Sequence, residues 1–341
     1  MKLGLGQFTL QIPPWDDRDH AALYADTLDL VARADEAGFD SVWLAEHHAA
    51  TDGYNPSVLP MLAAFAARTR RIELGSAVLL APFHDPLRVA EDAAVVDNIS
   101  GGRLNLGLGL GWAPEEYRMF QAPSKGRGRR LAEFAQVLRA AWTQERFTFG
   151  GEFYDYRDVA VMPKPARTPR LWLGGTVDAA LDRAARYGDG YFPPSTHGVD
   201  GVAERAEAVV AARARAGATG PFRFGTFVPV GIGRDADEGW ASIRDGVMHV
   251  RGSYMLWAQG ERDVSGARDA VAPFEEQIRA STLVGSPKDI VARLERMAED
   301  VEGLGFSEVF FSAGLGLPGM PRDAVAAAID AFASEVLPAF R

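Results

Sequence analysis

The stretch that decides the fold is Ile72-Glu73-Leu74-Gly75-Ser76-Ala77-Val78-Leu79-Leu80-Ala81, followed by Pro82-Phe83-His84-Asp85-Pro86 and, after Ser100-Gly101-Gly102, by Leu104-Asn105-Leu106-Gly107-Leu108-Gly109-Leu110-Gly111. The two apolar runs read as strands buried on both faces. Between them, Asp85 suits a helix cap, Pro86 suits the first helical position, and Val89, Ala93, Val96 and Ile99 recur at helical spacing. Strand, helix and strand make a βαβ unit, so the two strands are expected to be parallel neighbours. Glycine at every other position of the second strand leaves one face bare. Either tight strand packing or the close approach of a flat ligand would use that space.

Working outward, the same alternation runs through the whole chain. Strands are expected at 2–8, 41–45, 72–81, 104–111, 171–173, 191–192, 224–232 and 308–312, with helices between most of them. Eight such strands in 341 residues predict a (β/α)8 barrel, favoured over a doubly wound open sheet because the alternation is unbroken. The chain reads as one domain over 1–341. Residues 147–162 read as a hairpin excursion, and a helical insertion is expected around 235–285.

Composition limits the function classes. Hydrophobic residues make up 47% of the chain, enough for a large core, and the formal charge of −10 argues against non-specific nucleic-acid binding. There is no cysteine, hence no disulfide framework and no thiolate metal site. No apolar run approaches the ~18 residues of a membrane helix, and the N-terminus turns polar too soon for a signal peptide. A cytoplasmic protein with no membrane partner is expected.

Several pieces, in order, resemble the bacterial luciferase-like flavin monooxygenases: Trp43-Leu44-Ala45-Glu46-His47-His48, Gly75-Ser76-Ala77, Pro86-Leu87-Arg88-Val89-Ala90-Glu91-Asp92, Ser100-Gly101-Gly102-Arg103, Gly107 to Trp112 and Tyr117-Arg118-Met119-Phe120. The match is close over roughly the first 120 residues and looser beyond. It implies the same barrel fold. It also implies reduced FMN drawn from a separate NAD(P)H:flavin reductase, dioxygen, flavin hydroperoxide chemistry on a small organic substrate, and a homodimer. Luminescence is not expected. An F420-dependent hydride-transfer enzyme and a non-catalytic flavin-binding protein are the alternatives.

The resemblance assigns proton transfer at the flavin to His47. It places a cis peptide at Ala77-Val78 behind the flavin ring and brings Gly109 and Leu110 near the cofactor, although luciferase itself has arginine where this chain has Leu110. Gly174-Gly175-Thr176-Val177 lies between a strand and a helix and could bind a phosphate through backbone N–H groups, or Thr176 could simply cap the helix. Arg127, Arg129 and Arg130 crowd the start of another helix, where cations oppose its dipole. They are either a solvated basic turn or, for Arg127 or Arg129, the countercharge to that phosphate. His47 and His48 are adjacent on a strand end and point to opposite faces, so a shared metal ion is not expected.

Overall fold

The computed structural model describes residues 1–193, 198 and 201–341. In chain order, β1 is Lys2–Phe8, α1 His20–Ala37, β2 Ser41–Leu44, α2 Val58–Arg68, β3 Glu73–Ser76, β4 Leu79–Leu80, α3 Pro86–Ser100 and β5 Leu104–Gly109. Next come α4 Pro114–Met119, α5 Arg127–Thr143, the hairpin β6 Phe147–Gly150 and β7 Asp155–Val159, β8 Arg170–Leu173, α6 Asp178–Tyr187 and β9 Gly190–Tyr191. The rest is α7 Val202–Arg215, β10 Arg223–Ile232, α8 Ala236–Ala258, α9 Ala267–Val271, α10 Glu275–Ala280, β11 Leu283–Gly285, α11 Pro287–Val301, β12 Glu308–Gly314 and α12 Arg322–Ala331.

Eight strands close a parallel barrel in the order β1-β2-β3-β5-β8-β9-β10-β12, with β12 pairing back on β1. The decisive βαβ unit holds: Leu74 lies opposite Leu104, and Asp85 caps α3 by accepting from the Leu87 and Arg88 N–H groups. The run expected as one strand over 72–81 is divided. β3 stops at Ser76, the Ala77–Val78 peptide is cis, and Leu79–Leu80 pairs again with β5 before a 3-10 turn at Ala81–Phe83.

Large rings fill the barrel. Trp43, Trp172 and Phe310 are fully buried, and Trp172 meets each of the other two at 5.3 Å between ring centroids. Gly75 makes room for Trp43, since a Cβ there would overlap its indole. At the N-terminal face, Lys2 bridges Glu73 at 2.9 Å and Glu308 at 2.8 Å, while Arg170 and Arg223 take the outer oxygens of the same two acids. Conserving charge balance at that face serves stability; catalytic groups of a barrel gather at the opposite, C-terminal mouth. There, α8 to α10 fill the stretch between β10 and β11, and α8 packs on β10.

Candidate active site at the barrel mouth

His47 lies three residues past the end of β2, and the loop it begins is tied down at both ends. The His47 N–H donates to the Asn55 carbonyl at 3.2 Å, and the Asn55 side chain donates to the Ala45 carbonyl at 2.9 Å. The imidazole is buried among four rings: Tyr54, Trp257, Tyr254 and Trp112, at centroid distances of 5.0, 5.1, 5.2 and 6.1 Å. Its Nδ1 lies 2.9 Å from Oε1 of Glu116, which also accepts the His48 backbone N–H at 2.9 Å. Burial pushes the Glu116 carboxyl up, but the His47 bond and the His48 N–H outweigh it, so Glu116 is held below the usual carboxylate range. An ionised Glu116 can only accept, which places the proton on His47 Nδ1 and leaves Nε2 as the atom able to exchange one with the pocket.

Glu116 was not among the residues singled out from sequence. Its signal was present: Pro114 at the first helical position with Glu115 and Glu116 in the first turn announces the short helix α4. What no local pattern says is that α4 folds back onto the end of β2.

His48 turns away from His47, as adjacent strand-end residues should. Its Nε2 lies 3.0 Å from Glu46 Oε1, and His84 Nε2 reaches the same oxygen at 2.8 Å. The three ligand atoms lie within 4.8 Å of one another, close enough to surround an ion. Burial raises the Glu46 carboxyl, yet the two imidazoles leave it lowered. Both imidazoles lie within hydrogen-bond reach of that one carboxylate oxygen, and the second oxygen of Glu46 has no partner among the described residues.

Ala77 lies in the ring cluster with Trp172, Phe192 and Phe227. The bare face of β5 needs a correction. A Cβ at Gly107 would overlap the Ser76 carbonyl and one at Gly109 would overlap Val78 Cγ2. The glycines therefore admit the Ser76–Val78 segment, and tight strand packing accounts for them. Leu110 packs against the core, and its carbonyl accepts from the Tyr117 hydroxyl.

The Gly174–Val177 turn precedes α6. Gly175 has φ +125°, and the Tyr191 hydroxyl donates to its carbonyl at 2.6 Å. Thr176 does not cap the helix: the cap residue is Val177, with no side-chain bond. Arg205 donates to the Thr176 carbonyl at 2.9 Å. Arg183, on α6, stands within 3.4 Å of the Ala179 carbonyl and is close enough to Arg127 for their charges to oppose each other; burial first, and then Arg127, lower its pKa. The Nε atoms of both Arg183 and Arg205 are buried with no partner among the described residues. Mutually repelling, partly unsatisfied guanidinium groups beside a helix N-terminus fit an anion. Arg127 belongs to this cradle and also donates to the Gly111 carbonyl at 3.3 Å. Arg129 does not: it makes a two-pronged pair with Glu152 at 2.7 and 2.8 Å on the exposed hairpin side. Arg183 and Arg205 were missed in the sequence because arginines on alanine-rich helices look solvated.

Among the described residues, no helix is long and apolar enough to cross a membrane. The model of the luciferase-like monooxygenase family matches residues 8–307. An F420-dependent glucose-6-phosphate dehydrogenase of Kineococcus radiotolerans is 33% identical, over 50% of this chain and 53% of that protein, so this chain spans only about half of it in the match. An FMNH(2)-dependent dimethylsulfone monooxygenase of Pseudomonas putida is 32% identical over 68% of this chain and 67% of its own. Among solved structures, the monooxygenase RslO1 of Streptomyces bottropensis superposes with a TM-score of 0.81 at 27% identity, covering 100% of both chains.

Proposed function

The chain belongs to the luciferase-like monooxygenase family, and from that premise we propose that it is the oxygenase component of a two-component system, taking reduced FMN from a separate NAD(P)H:flavin reductase and inserting one atom of dioxygen into a small organic substrate. Bound reduced flavin would supply the two electrons and two protons with which the second oxygen atom leaves as water. The protein's part is to bind the phosphate, shield the ring and move a proton. Arg127, Arg183 and Arg205 with the N-terminus of α6 would hold the phosphate, the Ala77–Val78 segment would back the ring, and His47 Nε2 would exchange the proton. The His47–Glu116 pair favours an enzyme over a passive flavin carrier, because it fixes which ring nitrogen faces the pocket.

The observation that carries FMN over F420 is the compactness of the cationic cradle. F420 ends in a long, multiply charged tail that calls for an extended basic groove, whereas FMN ends in one phosphate. Glu152 neutralises Arg129, the residue that would have extended the cradle outward. Anaerobic titration with reduced FMN and reduced F420 tests the choice. Arg183→Gln and Arg205→Gln should each weaken FMN by about tenfold or more, the value of a charge-assisted hydrogen bond of about 1.5–3 kcal/mol, and leave riboflavin binding nearly unchanged. Equal weakening of FMN and riboflavin would refute the phosphate site. Saturable F420 binding without FMN binding would replace the oxygenase with a hydride-transfer enzyme.

A further inference from the structure

His84 brings a third ligand-type side chain to the Glu46–His48 pair, and it comes from a separate part of the fold. Glu46 and His48 follow the end of β2, whereas His84 closes the 3-10 turn after β4, one residue before Asp85 caps α3. That turn is fixed, since the His84 N–H donates to the Ala81 carbonyl at 3.2 Å. The His48 ring packs on Phe120 and Phe83 at centroid distances of 4.5 and 5.7 Å, and those two rings stack on each other at 5.0 Å. The Glu46 side chain is fully buried, but the His84 side chain is 30% exposed, so the cluster can be entered from solvent.

Hydrogen bonding alone leaves this cluster incomplete. Both imidazole Nε2 atoms converge on one oxygen of Glu46, which the Leu80 N–H also approaches at 3.4 Å. The other oxygen is buried with no partner among the described residues. A buried carboxylate is costly unless a cation pairs with it. The ion-pair partners of Glu46 are the two histidines, and neutral imidazoles supply bonds to it but no countercharge. Two nitrogens and one oxygen are a donor set suited to zinc and its first-row neighbours, whereas magnesium and calcium take oxygen. Zinc bonds of ~2.0–2.2 Å set neighbouring ligand atoms of a tetrahedral ion roughly 3.3 Å apart. The two nitrogens stand 3.0 and 2.8 Å from Glu46 Oε1, and all three ligand atoms fall within 4.8 Å of one another, so modest side-chain adjustments would seat an ion.

We propose that Glu46, His48 and His84 form a binding site for one divalent transition-metal ion of the zinc class, with solvent completing the coordination on the His84 side. Coordination uses the Nε2 lone pair of each ring, so each neutral imidazole then carries its proton on Nδ1. The Nε2 protons exchange through solvent, and no group is oxidised or reduced. The ion supplies the missing positive charge and ties the end of β2 to the turn before α3. It also restrains His48, whose backbone N–H shares Glu116 Oε1 with His47 Nδ1. His47 itself lies outside the ligand set. The proposal stands apart from the choice of flavin.

The test uses the whole chain, stripped with a chelator and titrated with zinc by calorimetry and with cobalt by visible absorption. Wild type should take up one zinc per chain, unfold at a higher temperature once loaded, and give cobalt the absorption of mixed nitrogen and oxygen coordination. Magnesium and calcium should not compete. His84→Ala, His48→Ala and Glu46→Gln should each weaken zinc by about tenfold or more. His47→Ala and His20→Ala, the latter at an exposed position, should leave zinc affinity unchanged. Nitrogen NMR on histidine-labelled wild type locates the ion even where a Glu46 or His48 variant fails to fold: zinc should shift the Nε2 signals of His48 and His84 and spare that of His47. No saturable zinc uptake, uptake indifferent to His84→Ala, or a shift confined to other histidines would overturn the proposal.

Discussion

Removing the Glu116 carboxylate should change which nitrogen of His47 carries the proton, and the size of the change follows from the site. Glu116 is fully buried, and one of its oxygens accepts both the His47 Nδ1–H and the His48 N–H at 2.9 Å. A hydrogen bond to a charged group contributes about 1.5–3 kcal/mol and a neutral one about 0.5–1.5. At about 1.4 kcal/mol per factor of ten, the carboxylate biases His47 toward the Nδ1–H form by about 10–150-fold. Glu116→Gln retains an acceptor oxygen but no charge, and should leave a bias of about 2–12-fold. Glu116→Ala leaves no acceptor at all, and also strands the buried His48 N–H at about 1–3 kcal/mol of stability. Nitrogen NMR on histidine-labelled protein reads the tautomer without needing a substrate, and His47→Ala identifies the signal. Wild type should show His47 protonated on Nδ1, Gln should show a mixture, and Ala should show the proton moved to Nε2. Turnover should fall in the same order, by about 10–150-fold for Ala, because the wrong tautomer offers no base to the pocket. A wild-type His47 already protonated on Nε2, or a tautomer unmoved by Glu116→Ala, would refute the reasoning.

Other expectations follow from the same geometry. His47→Ala should reduce turnover by about 10²–10⁴-fold while flavin affinity stays nearly constant; a loss below tenfold, or a worse result for His48→Ala, would show the roles misassigned. Because the folded-state pKa of Glu46 is lowered, its ionised form stabilises the fold above the unfolded value of about 4.3 and the benefit disappears as pH falls through the folded value. Glu46→Gln should thus be less stable by about 2 kcal/mol at neutral pH, with the gap closing in acid; a gap independent of pH in denaturant titrations would contradict this. Gly109→Ala should cost about 1–3 kcal/mol of stability, since the new Cβ would overlap Val78; an unchanged unfolding midpoint with lost flavin binding would restore the ligand reading of that face.

The barrel was legible because its strands are near-continuous apolar runs separated by helical periodicity, a pattern that depends on local order alone. The short helix α4 escaped because its six residues expose one face and bury little beyond Glu116 and Tyr117. The bare face of β5 was visible, but its occupant was not. A sequence shows that space has been left and cannot show whether a neighbouring strand or a ligand fills it. The arginine cluster at the α6 turn was half legible for a related reason. Gly174 to Val177 are consecutive, whereas Arg183 and Arg205 arrive from two helices and meet that turn only in three dimensions.

The distribution of satisfied charge distinguishes the two ends of the barrel. At the N-terminal face, Lys2, Arg170, Arg223, Glu73 and Glu308 pair with one another through five chain segments, which closes the barrel. On the side of the mouth, each charged set retains a buried atom with no partner among the described residues: Glu46 Oε2, Glu116 Oε2, Arg183 Nε and Arg205 Nε. An unpaired buried polar atom costs about 1–3 kcal/mol, so a fold that has the residues to pair its charges at one end and leaves several unsatisfied at the other is carrying that cost where ligands or water must complete the bonding. Unpartnered donors occur at the α6 turn, in Arg183 and Arg205, and also beside the histidines, in Trp257 and Arg262, where they stand near the unpartnered oxygens of Glu116 and Asp52. The guanidinium groups at the α6 turn are a local concentration of positive charge on a chain whose net charge of −10 would otherwise repel an anion.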